Sequence, residues 1–276
     1  MVSPDFPPFS SYSSTDIIRI INLTAGAGCE AWSDWNGLEL RREPDLLWHL
    51  STIPFFLFNA VLWSEFPPEA MDSRIDDVLR EADRRGVPIV WFTGPRTKPA
   101  NLGEHLAAKG FKPGPATAGM ALDLDTLADF EPPLPPPDWL EVREALAPED
   151  LNEWSWVTSE TFGFPPPAVP HWRAMNLALG LGAHKPWRHF LALRGQKPVA
   201  AASLFMGQES AAPANVAVLP AWRKQGVGTA LSRALLQIAH QAGLRVATLC
   251  ASDQGEPIYK AIGFKTYCHM QWYLYG

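Results

Sequence analysis

The sequence predicts an α/β protein made of two similar units in tandem, and three observations predict it. The first is the stretch Val216 to Thr229, which runs from an apolar strand end through a Pro-stopped arch into an amphipathic helix. The second is an order of elements that occurs twice: helix, Gly86, strand, short helix, Gly110-Phe111, strand, and again helix, Gly243, strand, short helix, Gly263-Phe264, strand. The two copies lie about 155 residues apart, the scale of whole domains rather than of a solenoid. The third is the run Glu131-Pro132-Pro133-Leu134-Pro135-Pro136-Pro137-Asp138 between the copies, which favours extended polyproline II and acts as a stiff spacer.

Length and composition agree with this division. A chain of 276 residues has room for two ordinary domains, and its 47% apolar content is that of a globular protein. A net charge of −6 argues against a broad nucleic-acid surface. The three cysteines, Cys29, Cys250 and Cys268, are odd in number and not spaced as metal ligands, so buried thiols in a reducing compartment are expected and no metal site. Residues 1–14 read as a Pro- and Ser-rich arm without the apolar core of a secretion signal, and the longest apolar run, Ile53 to Trp63, is too short to span a bilayer. A cytoplasmic location without a membrane partner is the expectation.

In chain order, Ser14 or Thr15 caps a helix starting near Asp16 with Ile17, Ile18, Ile20 and Ile21 as its apolar residues. Thr24-Ala25-Gly26-Ala27-Gly28 contains a Gly-x-Gly, but no strand precedes it, so it reads as a helix end or turn. Asp45 to Leu50 is a strand or helix end, and Phe55 to Trp63 a buried strand rich in β-formers. A helix from Glu69 to Arg85 carries Ile75, Val78, Leu79 and Ala82 on one face and is closed by Gly86. Val87 to Phe92 is a strand, Leu102 to Lys109 a short helix, and Met120 to Leu124 the last strand of the first unit.

The second unit opens with the strand Leu140 to Arg143, followed by helices from Pro148 to Thr161 and from Pro170 to Leu179. Arg188 to Arg194 and Pro198 to Met206 form a hairpin about Gly195-Gln196. After the arch, Leu231, Ala234, Leu235, Ile238, Ala239 and Ala242 fall on one helical face, and Gly243 ends the helix. A strand from Val246 to Ser252, a short helix around Tyr259 and a closing strand from His269 to Tyr275 complete the chain. Trp154, Trp156, Trp172 and Trp187 are expected mostly in the core, with one or two free to line an apolar pocket.

The arch Arg223-Lys224-Gln225-Gly226-Val227-Gly228 carries the chemistry. Glycines let backbone approach a ligand closely, and the unpaired N–H groups and dipole of a helix start favour phosphate. Arg223 and Lys224 add positive charge. Strand, Pro220, Arg-x-x-Gly-x-Gly and helix in that order resemble the GNAT superfamily of acyl-CoA-dependent N-acyltransferases, as do the downstream strand and the Tyr259-bearing helix that ends in Gly263-Phe264.

The resemblance covers Leu140 to the C-terminus and implies a fold of mixed, mostly antiparallel central sheets flanked by helices, two such domains in tandem. The first domain would span 1–130, the linker 131–138 and the acyltransferase domain 139–276. It also implies acetyl-CoA as co-substrate. Val216, Ala217 and Val218 would hold its pantetheine arm, and Arg223, Lys224, Gln225, Gly226, Val227, Gly228 and Thr229 its pyrophosphate. Ser252 would touch pantetheine or a water, with a strand-end cap as its structural alternative. Backbone N–H at Val218 or Leu219 would polarise the thioester, and Tyr259 would protonate the departing thiolate. On helical geometry Tyr259 is turned about 100° from Ile258, off an expected seam of Ile258, Ala261 and Ile262.

The base is open among Glu209, Glu160, His189 and Asn215, with Glu209 the foremost candidate; a water chain is the alternative. The acceptor would be a primary amine of a small molecule or peptide, and a non-catalytic acyl-CoA sensor or carrier is the competing reading. In the first unit the arch position holds Phe66-Pro67-Pro68-Glu69-Ala70, and Leu106 stands where Tyr259 would, so that unit reads as a decayed copy. The expected state is a monomer with an internal pseudo-dimer, or a weak homodimer.

Overall fold

The computed structural model describes residues 7–131 and 134–276. Residues 1–6 of the expected arm and Pro132-Pro133 of the linker lie outside the described residues. Seven α-helices and twelve strands are found among the described residues. They alternate as α1 (Ser14–Glu30), β1 (Glu39–Arg42), β2 (Leu46–Leu50), β3 (Ala60–Ser64), α2 (Met71–Arg85), β4 (Ile89–Thr93), α3 (Leu102–Ala108), β5 (Lys112–Pro113) and β6 (Thr117–Asp123). The second half follows as β7 (Leu140–Glu144), α4 (Pro148–Phe162), α5 (Val169–Leu179), β8 (Trp187–Arg194), β9 (Lys197–Met206), β10 (Ala211–Val218), α6 (Val227–Gln241), β11 (Val246–Ala251), α7 (Glu256–Ile262) and β12 (Lys265–Tyr275).

The strands form one mixed, mostly antiparallel sheet in the order β1-β2-β3-β4-β12-β6-β11-β10-β9-β8-β7, with β5 paired to β12. Its two parallel pairs, β3 with β4 and β10 with β11, occupy matching places in the two halves. The closing strands, however, are exchanged. β6, the last strand of the first half, pairs along its length with β11 of the second, from Val246 opposite Asp123 to Ala251 opposite Ala118. β12, the last strand of the chain, pairs with β4 of the first half from Gln271 opposite Thr93 to Tyr275 opposite Ile89. The two exchanged strands pair with each other at the seam. Instead of two sheets there is one, because each half completes itself with the other's last strand.

Alternation along the strands sorts side chains to two faces. Phe190 and Ala192 of β8 and Ala247, Leu249 and Ala251 of β11 join the core under α6, with Leu231, Leu235, Leu236 and Ala239 of that helix. Leu191 and Leu193, of opposite parity, join Trp154, Trp172 and Met175 under α4 and α5. Of the four tryptophans expected in the core, Trp154, Trp172 and Trp187 are buried, whereas Trp156 faces solvent. In the first half, Leu46, Trp48, Ile89 and Trp91 pack with Ile75 and Val78 of α2, on the face matching that of α6. α1 lies on the opposite face and crosses the seam, burying Ile17, Ile20 and Ile21 against Ala121, Val246 and Cys268.

Two local expectations change. Thr24 to Gly28 is not a helix end; it continues α1, which ends only at Glu30. Phe55 to Trp63 is not one strand: Phe56–Phe58 form a tight helical turn, and only Ala60–Ser64 pair as β3. Asn59 fixes that turn, its amide oxygen accepting from Ser51 N–H at 2.8 Å and its Nδ2 donating to Ile53 O at 2.9 Å.

The exchange yields a test. Opening either half must break β6 or β12 out of a sheet they share, so native-state hydrogen exchange should protect their amides to the same limit as those of β9. Markedly faster exchange in β12 would show the halves opening independently.

Candidate active site

The parallel pair β10–β11 is registered at Ala211 opposite Ala247, and beyond that point the strands diverge. The gap faces the N-terminus of α6. At the same level β10 carries a bulge: its register on β9 shifts between Ala214 and Ala217, leaving Asn215 and Val216 without registered partners. Asn215 sits there at φ +53°, a left-handed conformation that Asn tolerates better than most residues. Its Nδ2 donates to Ser203 Oγ at 3.2 Å, and Ser203 Oγ lies 3.1 Å from His189 Nδ1. This row ties the bulge to β9 and β8. His189 is buried against Trp154, and burial pushes its pKa down to about 3, so it is neutral and lacks the basicity to take a proton from an ammonium ion.

From β10 the chain turns through Pro220–Trp222 into the arch. The Arg223 side chain folds back, its Nε donating to Val218 O at 3.0 Å, so it braces the arch against the strand end. Lys224 at φ +59° and Gly226 at φ +80° then swing the backbone into α6. Ala230 N–H is the first to bond within the helix, to Gly226 O at 2.9 Å, so Val227, Gly228 and Thr229 have no intrahelical acceptor for their N–H groups. A side chain on Gly228 would meet Val218 Cγ2 at 3.2 Å, which is how closely the helix start packs on the strand. These features fit the diphosphate of CoA, as the resemblance implies: free donors at a helix N-terminus with an exposed lysine beside them.

The linker also reaches the arch. A Cβ on Gly226 would stand 3.0 Å from Pro135 O and 3.4 Å from Leu134 Cβ. Further along, Trp139 packs edge-on to Trp222 at 5.3 Å, and the Arg194 guanidinium lies over both rings.

Tyr259 occupies the groove between α7 and α6. Its ring meets Phe264 edge-on at 5.6 Å, and Ser232 of α6 lies on the side of its hydroxyl. Its enclosed setting raises the phenol's pKa, so it keeps its proton at neutral pH. The expected seam of α7 is corrected. Ile258 is 45% exposed, while Tyr259 packs against the core beside fully buried Ile262, because residues three apart share a helix face. Ser252 is exposed, and its Oγ accepts from Gly255 N–H at 3.3 Å at the turn into α7. Leu219 is not free to polarise a thioester, since its N–H donates to Val199 O at 3.1 Å.

Glu209 lies elsewhere. It precedes β10, at the end where β10 and β11 are still paired, and its carboxylate accepts from Arg19 of α1 at 2.9 Å. Glu209 lies six positions before Asn215, roughly 20 Å at an extended chain's rise. Glu160, another candidate, is exposed on α4. The structure thus brings Val216–Val218, the arch and Tyr259 to one face of the splay and leaves Glu209 on the rim of a cavity beneath α1. The Asn215 bulge, with its row to His189, was missed as a unit; the signal was Asn215 and Ser203 on adjoining strands, whose register the sequence alone does not give.

Comparison with known proteins agrees with this geometry. Residues 185–266 match the family model of the acetyltransferase (GNAT) domain. No curated protein matches the chain in sequence. Among solved structures, a GCN5-related N-acetyltransferase from Kribbella flavida is similar at TM-score 0.69 and 15% identity, over 92% of this chain and 95% of that one. A GCN5-related N-acetyltransferase from Sphaerobacter thermophilus is similar at TM-score 0.61 and 15% identity, over 96% and 93%. A tandem GNAT protein from the clavulanic acid biosynthesis pathway is similar at TM-score 0.59 and 16% identity, over 96% of both chains. The match to the GNAT acetyltransferase domain thus lies within the second half, and the fold of the whole chain is similar to that of GCN5-related and tandem GNAT proteins. Among the described residues no helix is long and apolar enough to cross a membrane, and no group of three His, Cys, Asp or Glu could hold a metal ion.

Gly226 and Gly86 make a matched pair for testing the arch. Both have positive φ, +80° and +65°, so alanine at either costs about 1–2 kcal/mol of stability. Only Gly226→Ala should weaken CoA, by tenfold or more in calorimetry, with Gly86→Ala binding as the wild type does.

Proposed function

We propose that the protein transfers an acetyl or other short acyl group from acyl-CoA to a primary amine of a small molecule or peptide. The observation that carries this reading is the arch on the splayed pair: a helix start with free N–H groups, a close-packed Gly228 and a half-buried phenol in the adjoining groove. Residues 139–276 would be the acyltransferase domain, joined by 131–138 to a scaffold of residues 1–130.

In this reading Val227, Gly228 and Thr229 donate their N–H groups to the diphosphate, with Lys224 beside them. The pantetheine lies along Val216–Val218. N–H groups of the unpaired bulge Asn215–Val216 face the thioester carbonyl, where charge develops as the amine attacks. The amine nitrogen bonds to the carbonyl carbon, the carbon–sulfur bond breaks, and the sulfur takes the Tyr259 hydroxyl proton. Water carries away the amine's proton. Glu209, neutralised by Arg19 and held away from the bulge, takes no part in the transfer.

Tyr259→Phe tests the acid. It should lower turnover tenfold to a thousandfold while leaving CoA affinity within a factor of three, measured by thiol release and calorimetry. A CoA sensor would instead bind CoA and release no thiol with any amine.

The number of sites is a separate expectation. In the first half the cradle position is filled: Phe66 is buried edge-on against Trp91 at 6.0 Å, Pro67 and Pro68 lack N–H groups, and Leu106 is fully buried. Calorimetric titration should therefore give one CoA per chain; two equivalent sites would overturn the scaffold role.

A further inference from the structure

The face of the sheet opposite α6 holds a cavity of about 760 Å³ that belongs to neither half alone. α1 roofs it. Leu62, Trp63 and Phe92 of the first half form part of its wall, with Met270 and Trp272 of β12 and Phe205 of β9. Cavities of this size hold compact small molecules, and most of this wall is aromatic or apolar.

The cavity adjoins the splay from behind. On β11, Ala247, Leu249 and Ala251 point to the α6 side, whereas Cys250, of opposite parity, lines the cavity. Cys250 is open to the cavity, its Sγ 3.4 Å from Met270 Sδ, and its deep apolar setting pushes the thiol up to about 12, so it is a neutral wall group. At the foot of the splay, hydroxyls of Thr24, Ser210 and Thr248 form a buried chain, with contacts of 2.6 and 3.4 Å, that closes the passage where the strands still pair. Above it, Cys250 is the residue of β11 that borders the cavity.

The roof explains the Gly-x-Gly inside α1. Gly28 is needed for packing, since a Cβ there would meet Trp187 Cζ2 at 3.1 Å. Gly26 is not: a Cβ there would meet nothing within 4 Å. Glycine inside a helix is less favourable than alanine, so Gly26 costs stability without relieving a contact. It borders the cavity, and what it leaves there is volume.

We infer that this cavity is the acyl-acceptor site, shared between the halves, and that it takes a primary amine carried on a flat apolar body. The inference rests on the acyl-transfer reading for the direction of attack but not for binding. The rim carboxylates Glu30 and Glu209 are already paired with Arg42 and Arg19, and Arg96 is exposed at the mouth, so the walls rather than a strong rim field select the ligand. A long acyl chain on the donor would find the same apolar wall, and the test separates the two.

The probe is 2-naphthylmethylamine, with glucosamine as a polar amine control. Calorimetry without CoA should show the wild type binding the probe at least tenfold more tightly than glucosamine. Gly26→Leu, which fills the roof and favours the helix, should weaken the probe tenfold or more while CoA affinity and melting temperature hold. Leu62→Trp, filling from the floor, should do the same. Absence of probe binding, or binding unchanged in both variants, overturns the inference even where CoA binds normally. So does a rise in KM for octanoyl-CoA in Gly26→Leu with the probe's affinity unchanged, which would make the cavity an acyl-chain site. Loss of CoA binding in the wild type would instead sink the acyl-transfer reading, leaving the probe measurement to decide the cavity.

Discussion

Each half of this protein lacks the strand that completes it. β11 has β6 for its outer neighbour and β4 has β12, so neither sheet edge is satisfied by its own half. A strand edge left bare exposes a row of unpaired backbone groups, which costs free energy when buried and invites wrong pairing when not. The exchange removes both problems at the seam and fixes the relation of the halves through backbone hydrogen bonds rather than through side-chain packing alone. The splay of β10 from β11 depends on it as well. β11 can turn away from β10 because β6 pairs with it from Val246 to Ala251 on its other edge.

The sequence showed most of the elements and the turn into α6, because both depend on local chemistry. The apolar face of α6, the glycines that end α2 and enter α6, and Pro220 after a strand are short-range signals, and the structure holds each where it was read. The exchange was not legible, since β6 and β12 have the same composition whichever half they complete. Phe55 to Trp63 misled for a related reason. Its β-forming residues are there to fill the core, and Asn59 bends the chain through hydrogen bonds to Ser51 and Ile53 that no periodicity reveals. Within the site, Tyr259 was found by its motif, while its seam was assigned to Ile258, a hydrophobic residue that the fold leaves in solvent. Glu209 and His189 could be named from the chain but not placed, since position relative to the splay is a property of strand register.

The halves differ in what they place at matching positions. Where the second has an open arch with free N–H groups, the first has prolines and a phenylalanine pressed into the core; where the second has a phenol, the first has a buried leucine. The first half's residues at these places pack into its core. Yet the first half reaches across to the second, because α1 crosses the seam and its small residues border the space behind β11.

The connection between the halves does more than tether them. Leu134 and Pro135 rest on Gly226, and Trp139, Trp222 and Arg194 stack where the linker enters β7. Two separately made fragments could still trade strands and rebuild the sheet, as fragment pairs do when their interface is backbone pairing. A cut within the linker would free the piece that leans on the arch, so the reassembled pair would recover its shape before it recovered a rigid arch. The covalent connection is therefore also a packing surface that leans on the turn into α6 and holds it in place.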